Sequence, residues 1–162
     1  MLGTFGVGKT SLVRRYVHDL FDDTYLSTIG VQIFHKELQR DPEQDGLKMV
    51  LWDLANVERF TAVEKQYFRG AAGAIVVVDL SRPNTISEKD IHINTFLDIN
   101  PTAELVIAGN KTDLVGDDKS PVSAIETFSA DYKAPFLLTS AKANDNVDAL
   151  FHIIGERLLE KA

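Results

Sequence analysis

Short apolar runs alternate along this chain with longer stretches in which apolar residues return every three or four positions. Five runs have strand length and are rich in Val, Ile, Leu or Phe: Gln32 to Leu38, Leu47 to Trp52, Ala74 to Leu80, Leu105 to Gly109 and Phe136 to Thr139. Helical periodicity covers Lys9 to about Asp19, Ile86 to Ile99, Val122 to Asp131 and Val147 to Glu160. Such alternation predicts an α/β protein, a parallel sheet wrapped by helices. The first two strands flank Asp41-Pro42-Glu43-Gln44-Asp45-Gly46, whose Pro and Asp-Gly predict a hairpin turn, so that pair is expected to be antiparallel. Ser120-Pro121 marks a helix start, and Asn100-Pro101 stops the helix before it.

Composition narrows this picture. At 162 residues, with 44% hydrophobic and 25% charged residues, the chain fits one globular domain over 1–162. A formal charge of -7 argues against a nucleic-acid partner, which would need excess Lys and Arg. The lack of Cys excludes disulfides, suits a cytoplasmic location and removes every thiol that could carry a prenyl or palmitoyl chain. The longest apolar stretch, around Gly73 to Val78, is far below the ~20 residues of a membrane span. No membrane anchor is therefore expected in this chain; peripheral association would require a lipidated tail beyond it. His18, His35, His92 and His152 lack the spacing of a zinc site.

Gly3-Thr4-Phe5-Gly6-Val7-Gly8-Lys9-Thr10 matches the phosphate-binding pattern G-x-x-x-x-G-K-[ST]. Its glycines let successive backbone N–H groups converge on phosphate oxygens, and the helix opening at Lys9 adds the positive end of its dipole. Lys9 is expected to bridge the β- and γ-phosphates, and the Thr10 hydroxyl to ligate Mg²⁺. By itself the loop specifies only a nucleoside triphosphate. Asn110-Lys111-Thr112-Asp113 follows the strand Leu105 to Gly109, at the carboxyl end where open α/β sheets place ligands. There Asp113 can accept two hydrogen bonds from the N1–H and exocyclic amine of guanine, an edge adenine does not present. Thr139-Ser140-Ala141-Lys142, after the last strand, can offer backbone N–H groups to the guanine carbonyl.

These three elements, in this order, resemble those of the Ras-like small GTPases, and the resemblance runs the length of the chain. Tyr25-Leu26-Ser27-Thr28-Ile29-Gly30-Val31 is similar to switch I of the Rab branch. Trp52-Asp53 through Glu58-Arg59-Phe60, followed by Tyr67-Phe68-Arg69-Gly70-Ala71, is similar to its switch II. The resemblance implies a P-loop G domain with a mostly parallel six-stranded sheet and one antiparallel edge strand. It implies GTP or GDP with Mg²⁺ as cofactors, and Gly3, Gly6, Val7, Gly8, Lys9, Thr10 and Ser11 around the phosphates. Thr28 would close on Mg²⁺ and the γ-phosphate, Asp53 would hold the metal through water, and Phe21 would stack edgewise on the base. Lys111 would lie along the purine beside Asn110 and Asp113, and Ser140, with Ala141 and Lys142, would order the base loop. Lys9 and Thr28 would serve catalysis. Effector and regulator proteins would bind through switch I, Tyr25 to Val31, and switch II, Asp53 to Gly70, of a monomer. For Trp52, core packing is the expectation, since large aromatics are mostly buried.

Three departures fall on the chemistry. The family's D-x-A-G-Q reads Asp53-Leu54-Ala55-Asn56-Val57 here, so the water-positioning glutamine is Val57, which cannot hydrogen-bond a water. Phe5 places a ring in the phosphate loop where relatives carry a small residue; it either obstructs an incoming arginine finger or swings to solvent. Only Met1-Leu2 precede Gly3, so the first strand is expected to be cut short. The leading expectation is a GTP/GDP switch with weak hydrolysis. The alternative is a hydrolysis-deficient, GTP-bound or nucleotide-free scaffold that works as a protein-binding module.

Overall fold

The computed structural model describes the chain except residues 25–26, 39–45, 56–64, 83, 88–89, 117–119 and 162. The elements follow in the order α1 (Lys9–His18), β1 (Val31–Leu38), β2 (Leu47–Leu54), β3 (Gly73–Asp79), α2 (Asn84–Ser87), α3 (Asp90–Ile99), β4 (Glu104–Asn110), a 3₁₀ turn (Thr112–Leu114), α4 (Ser120–Asp131), β5 (Phe136–Leu138) and α5 (Val147–Glu160). β3, β4 and β5 are parallel, and β1 and β2 form the expected antiparallel pair, with Val31 opposite Leu54 and Leu38 opposite Leu47. The hairpin turn assigned to Asp41 through Gly46 lies outside the described residues up to residue 45.

β3 and β4 are apolar throughout because both of their faces are covered. Ile75, Val77, Val106 and Ala108 point into one cluster with α1 and α5, where the Tyr16 and Phe151 rings stack at 4.0 Å. Ala74, Val76, Val78, Leu105 and Ile107 point into a second cluster with Ile93, Phe96, Ile125 and Phe128 of α3 and α4. The result is a three-layer α/β/α arrangement with the sheet's carboxyl ends on one edge.

The structure contains five strands among the described residues, not six. In place of the sixth, Leu2 alone bridges to β3: its N–H donates to Ile75 O at 2.9 Å and its carbonyl accepts from Val77 N at 2.8 Å. The Met1 nitrogen donates to Trp52 O at 2.7 Å, so two residues link β2 to β3. Away from them the two strands share no backbone ladder, and a cavity of about 600 Å³ lies between, walled by Met49, Leu51, Ala74, Ile75, Ile154 and Leu158.

Within the predicted helix Ile86 to Ile99, the described residues on either side of 88–89 are helical, and the Thr85 hydroxyl donates to Asp79 O and Arg82 O, which holds the first turn against the end of β3. One further expectation is corrected. Trp52 is not in the core: it is 37% exposed, packed beside Tyr67 at 5.9 Å. Strand alternation sends Met49, Leu51 and Asp53 inward, which turns Val50 and Trp52 outward. Among the described residues, no helix is long and apolar enough to cross a membrane.

Candidate functional site

From the Leu2 bridge the chain turns through Gly3 to Gly8 and enters α1 at Lys9. Gly8 sits at φ +100°, a left-handed conformation that a side chain disfavours. A Cβ there would lie 2.3 Å from the Asn110 amide nitrogen. That approach is used: Asn110 Nδ2 donates to Val7 O at 2.9 Å, while its Oδ1 accepts from Thr139 Oγ1 and Ala141 N, each at 3.2 Å. One buried amide thus ties together the phosphate loop, the end of β4 and the loop after β5.

Lys9 curls back over the loop, its ammonium donating to Gly3 O at 2.8 Å and Thr4 O at 3.1 Å. Burial holds its pKa down to about 8, opposed by the nearby Asp53 charge. The next side chain, Thr10, has its hydroxyl 2.6 Å from that of Thr28 and donates to Asp53 Oδ2. The other oxygen of Asp53 is buried and has no hydrogen-bond partner among the described residues. Burial pushes this carboxyl up, against the Thr10 hydrogen bond and the neighbouring cations. Two hydroxyls and a carboxylate with an unused oxygen form a hard-oxygen set of the kind Mg²⁺ selects, so these residues fit that ion.

At the opposite end, Lys111 turns the chain at φ 68° into the 3₁₀ turn that carries Asp113. Ser140 Oγ donates to Asp113 Oδ1 at 2.6 Å and accepts from Ala143 N at 2.9 Å, which fixes the carboxylate against the base loop. Arg15, on α1, donates from Nε to Ala141 O at 3.0 Å and lies 5.8 Å over the Phe21 ring, so it holds that ring and the loop together.

These pieces surround one cleft of about 450 Å³, with Lys9, Thr10 and Thr28 at one end and Asp113 and Lys142 at the other. Gly6, Gly8, Ser11, Phe21, Asn110, Lys111 and Ala141 also face it. Gly3, Val7 and Ser140 stand behind the wall, contributing the bonds just described. Phe5 lines the mouth of the cleft and is 49% exposed. Tyr25 and Leu26 of switch I, and Asn56 through Phe60 of switch II with Val57 among them, lie outside the described residues.

Three residues the sequence reading passed over belong to this site: Arg15, Asp79 and Arg82. The Asp79 side chain, 1% exposed at the end of β3, accepts from Lys111 Nζ at 2.7 Å and Arg82 Nε at 2.9 Å. A carboxylate closing an otherwise apolar strand was the available signal.

Known proteins place this architecture. The sequence profile of the Ras family matches residues 1–160. The chain is 35% identical to "Ras-related protein Rab5A" of Oryza sativa subsp. japonica, over 99% of this chain and 78% of that protein. It is 34% identical to "Ras-related protein Rab-32" of Mus musculus, over 98% and 74%, and 34% identical to human "Ras-related protein Rab-8B", over 99% and 77%. A phosphate loop tied by one asparagine to a base loop, in a chain matched almost end to end, has one reading: it belongs to the Ras family of small GTPases, with its relatives on the Rab branch.

Proposed function

We propose that this chain is a Rab-like molecular switch that binds GTP and GDP with Mg²⁺, hydrolyses GTP slowly and controls effector binding in vesicle traffic. The observation that carries the reading is the cleft itself, with a lysine and a hydroxyl–carboxylate cluster at one end and a buttressed acceptor at the other. A guanine nucleotide has that same polarity, polyanion at one end and a donor edge at the other. Lys9, released from the Gly3 and Thr4 carbonyls, binds the phosphates together with the N–H groups of the loop. Bound Mg²⁺ would neutralise phosphate oxygens beside Thr10, Thr28 and Asp53. Asp113 accepts from the N1–H and amine of the base, and Ser140 keeps it aimed there.

Hydrolysis in this chemistry depends on orienting the attacking water and neutralising charge on the transferred group. Val57 offers no donor or acceptor for that water, so the GTP form is long-lived. The same residue favours the second reading, a scaffold that binds partners through the switch segments without cycling. Exposed Ile29, Trp52 and Tyr67 supply an apolar surface for such partners. A monomeric single domain and a cytoplasmic location accompany both readings.

Chromatography of nucleotide extracted from purified protein tests the proposal: GDP or GTP at close to one equivalent is expected. Asp113→Asn should weaken GTP binding by about 2 kcal/mol and favour xanthosine triphosphate, whose C2 carries an oxygen. Equal affinity of the wild-type chain for ATP and GTP would refute guanine recognition, and a protein free of nucleotide would favour the scaffold.

A further inference from the structure

We propose that Asp79 and Arg82 are a positioning pair that sets the orientation of the phosphate loop and couples it to the base end of the cleft. The proposal rests on the guanine-nucleotide reading and assigns a role to two residues outside its three sequence motifs.

Asp79 is the meeting point of two cations that serve opposite ends of the cleft. Its Oδ2 accepts from both Lys111 and Arg82, and its Oδ1 accepts from the Ser81 hydroxyl at 2.6 Å and the Ser81 N–H at 3.0 Å. The Asp79 carboxyl is desolvated by burial, which would raise its pKa, yet the hydrogen bonds from Lys111, Ser81 and Arg82 hold it below the usual carboxylate range. It therefore stays charged and keeps both cations bound. On one side, Lys111 is held where it faces the base end of the cleft. On the other, Arg82 uses Nε for Asp79 and Nη2 for the carbonyl of Phe5, at 2.9 Å. A planar guanidinium can make both bonds at once from fixed positions; a lysine ammonium cannot span them.

The bond to Phe5 O bears on phosphate binding through the geometry of the peptide. The peptide bond between Phe5 and Gly6 is trans, so the carbonyl of Phe5 and the N–H of Gly6 point in opposite directions. By holding that carbonyl toward β3 and away from the cleft, Arg82 turns the Gly6 N–H the other way, toward the space the phosphates would occupy. Gly6, at φ 71°, has the backbone freedom to let this peptide rotate, so something must select its orientation. A carbonyl turned inward would set an oxygen dipole against a polyanion and remove one donor from the cradle.

Release of a fluorescent GDP analogue tests the pair, with Arg82→Ala, Arg82→Lys and Asp79→Asn. The nucleotide-free Arg82 variants should still unfold cooperatively, about 3–6 °C below the wild-type chain, the scale of one lost charge-assisted bond. All three variants should release GDP about tenfold faster, the scale of one lost charge-assisted hydrogen bond. Arg82→Lys should not restore the wild-type rate. Release within about twofold of wild type in Arg82→Ala, or full rescue by Arg82→Lys, would overturn the proposal. If instead the wild-type chain holds no GDP, the guanine reading fails and the pair's proposed role fails with it. Tight wild-type binding with unchanged variants sinks the pair alone.

Discussion

The closest approach within the site makes Gly8→Ala a demanding perturbation. The added methyl would sit 2.3 Å from Asn110 Nδ2, well inside contact distance, at a residue whose φ of +100° already disfavours a side chain. The backbone strain alone costs roughly 1–2 kcal/mol. To make room, Asn110 must leave Val7 O, stranding a buried carbonyl at about 1–3 kcal/mol. Together these give about 2–5 kcal/mol, against a total stability of about 5–15 kcal/mol for a domain. At roughly 2–4 °C per kcal/mol, the nucleotide-free protein should melt about 4–20 °C lower. Gly70→Ala is the control, since Gly70 also has a left-handed φ, +78°, but no atom within 4 Å of its virtual Cβ. It should bear the strain without the displacement. Thermal unfolding followed by circular dichroism separates the two. If Gly8→Ala melts with Gly70→Ala, the Asn110 contact is not what Gly8 protects, and the account of the amide as the tie between the two loops is wrong.

Two other expectations are open to direct measurement. Val57→Gln, or Asn56→Gly with Val57→Gln as the fuller repair, should accelerate single-turnover GTP hydrolysis ten- to a thousandfold, about 1.4–4 kcal/mol in barrier, and equal rates would mean another group orients the water. The pH dependence follows from Lys9, whose folded-state value near 8 lies below the usual 10.5. Between those values the unfolded chain holds more protons than the folded one, so the burial cost is full below pH 8 and is relieved as pH rises toward 10.5. GDP binding runs the other way. The phosphates favour the ammonium, so affinity should fall as pH rises above about 8, up to tenfold per unit, and a flat titration from pH 8 to 9.5 would exclude Lys9 as the proton-linked group.

The parts of this fold legible in the sequence are those set by local pattern. β3 and β4 are buried on both faces, which requires uninterrupted apolar runs, and those runs give the elements to within a residue at each end. The glycine-rich loop and the Asn110 motif were equally plain, because backbone geometry and a hydrogen-bond pattern demand particular residues at fixed spacing. What escaped depends on tertiary contact. Asp79 read as one more residue of the run Ala74 to Leu80, since its meaning comes from Lys111 and Arg82 arriving beside it. Trp52 was misplaced for a simpler reason: a size-based expectation of burial was set above the strand alternation that faces it outward.

The Leu2 bridge has a consequence for how the molecule opens. β1 and β2 are joined to each other by a full antiparallel ladder, and β3, β4 and β5 by a parallel one, but among the described residues the backbone bonds between the two ladders run through Met1 and Leu2. Side chains add to the attachment: Leu38, Met49 and Leu51 pack beneath α1 and α5, Leu54 packs with Leu2, Phe68 and Val76, and the Thr10 hydroxyl bonds Asp53. The apolar contacts are less directional than hydrogen bonds and tolerate small sliding. The hairpin is therefore expected to open before the parallel ladder, with its amides the first to exchange with solvent. Asp53 belongs to the hairpin, whereas Asn110 and Asp79 belong to the parallel unit. A ligand touching both would act as the missing cross-link, lending the hairpin the slower exchange of the rest of the sheet.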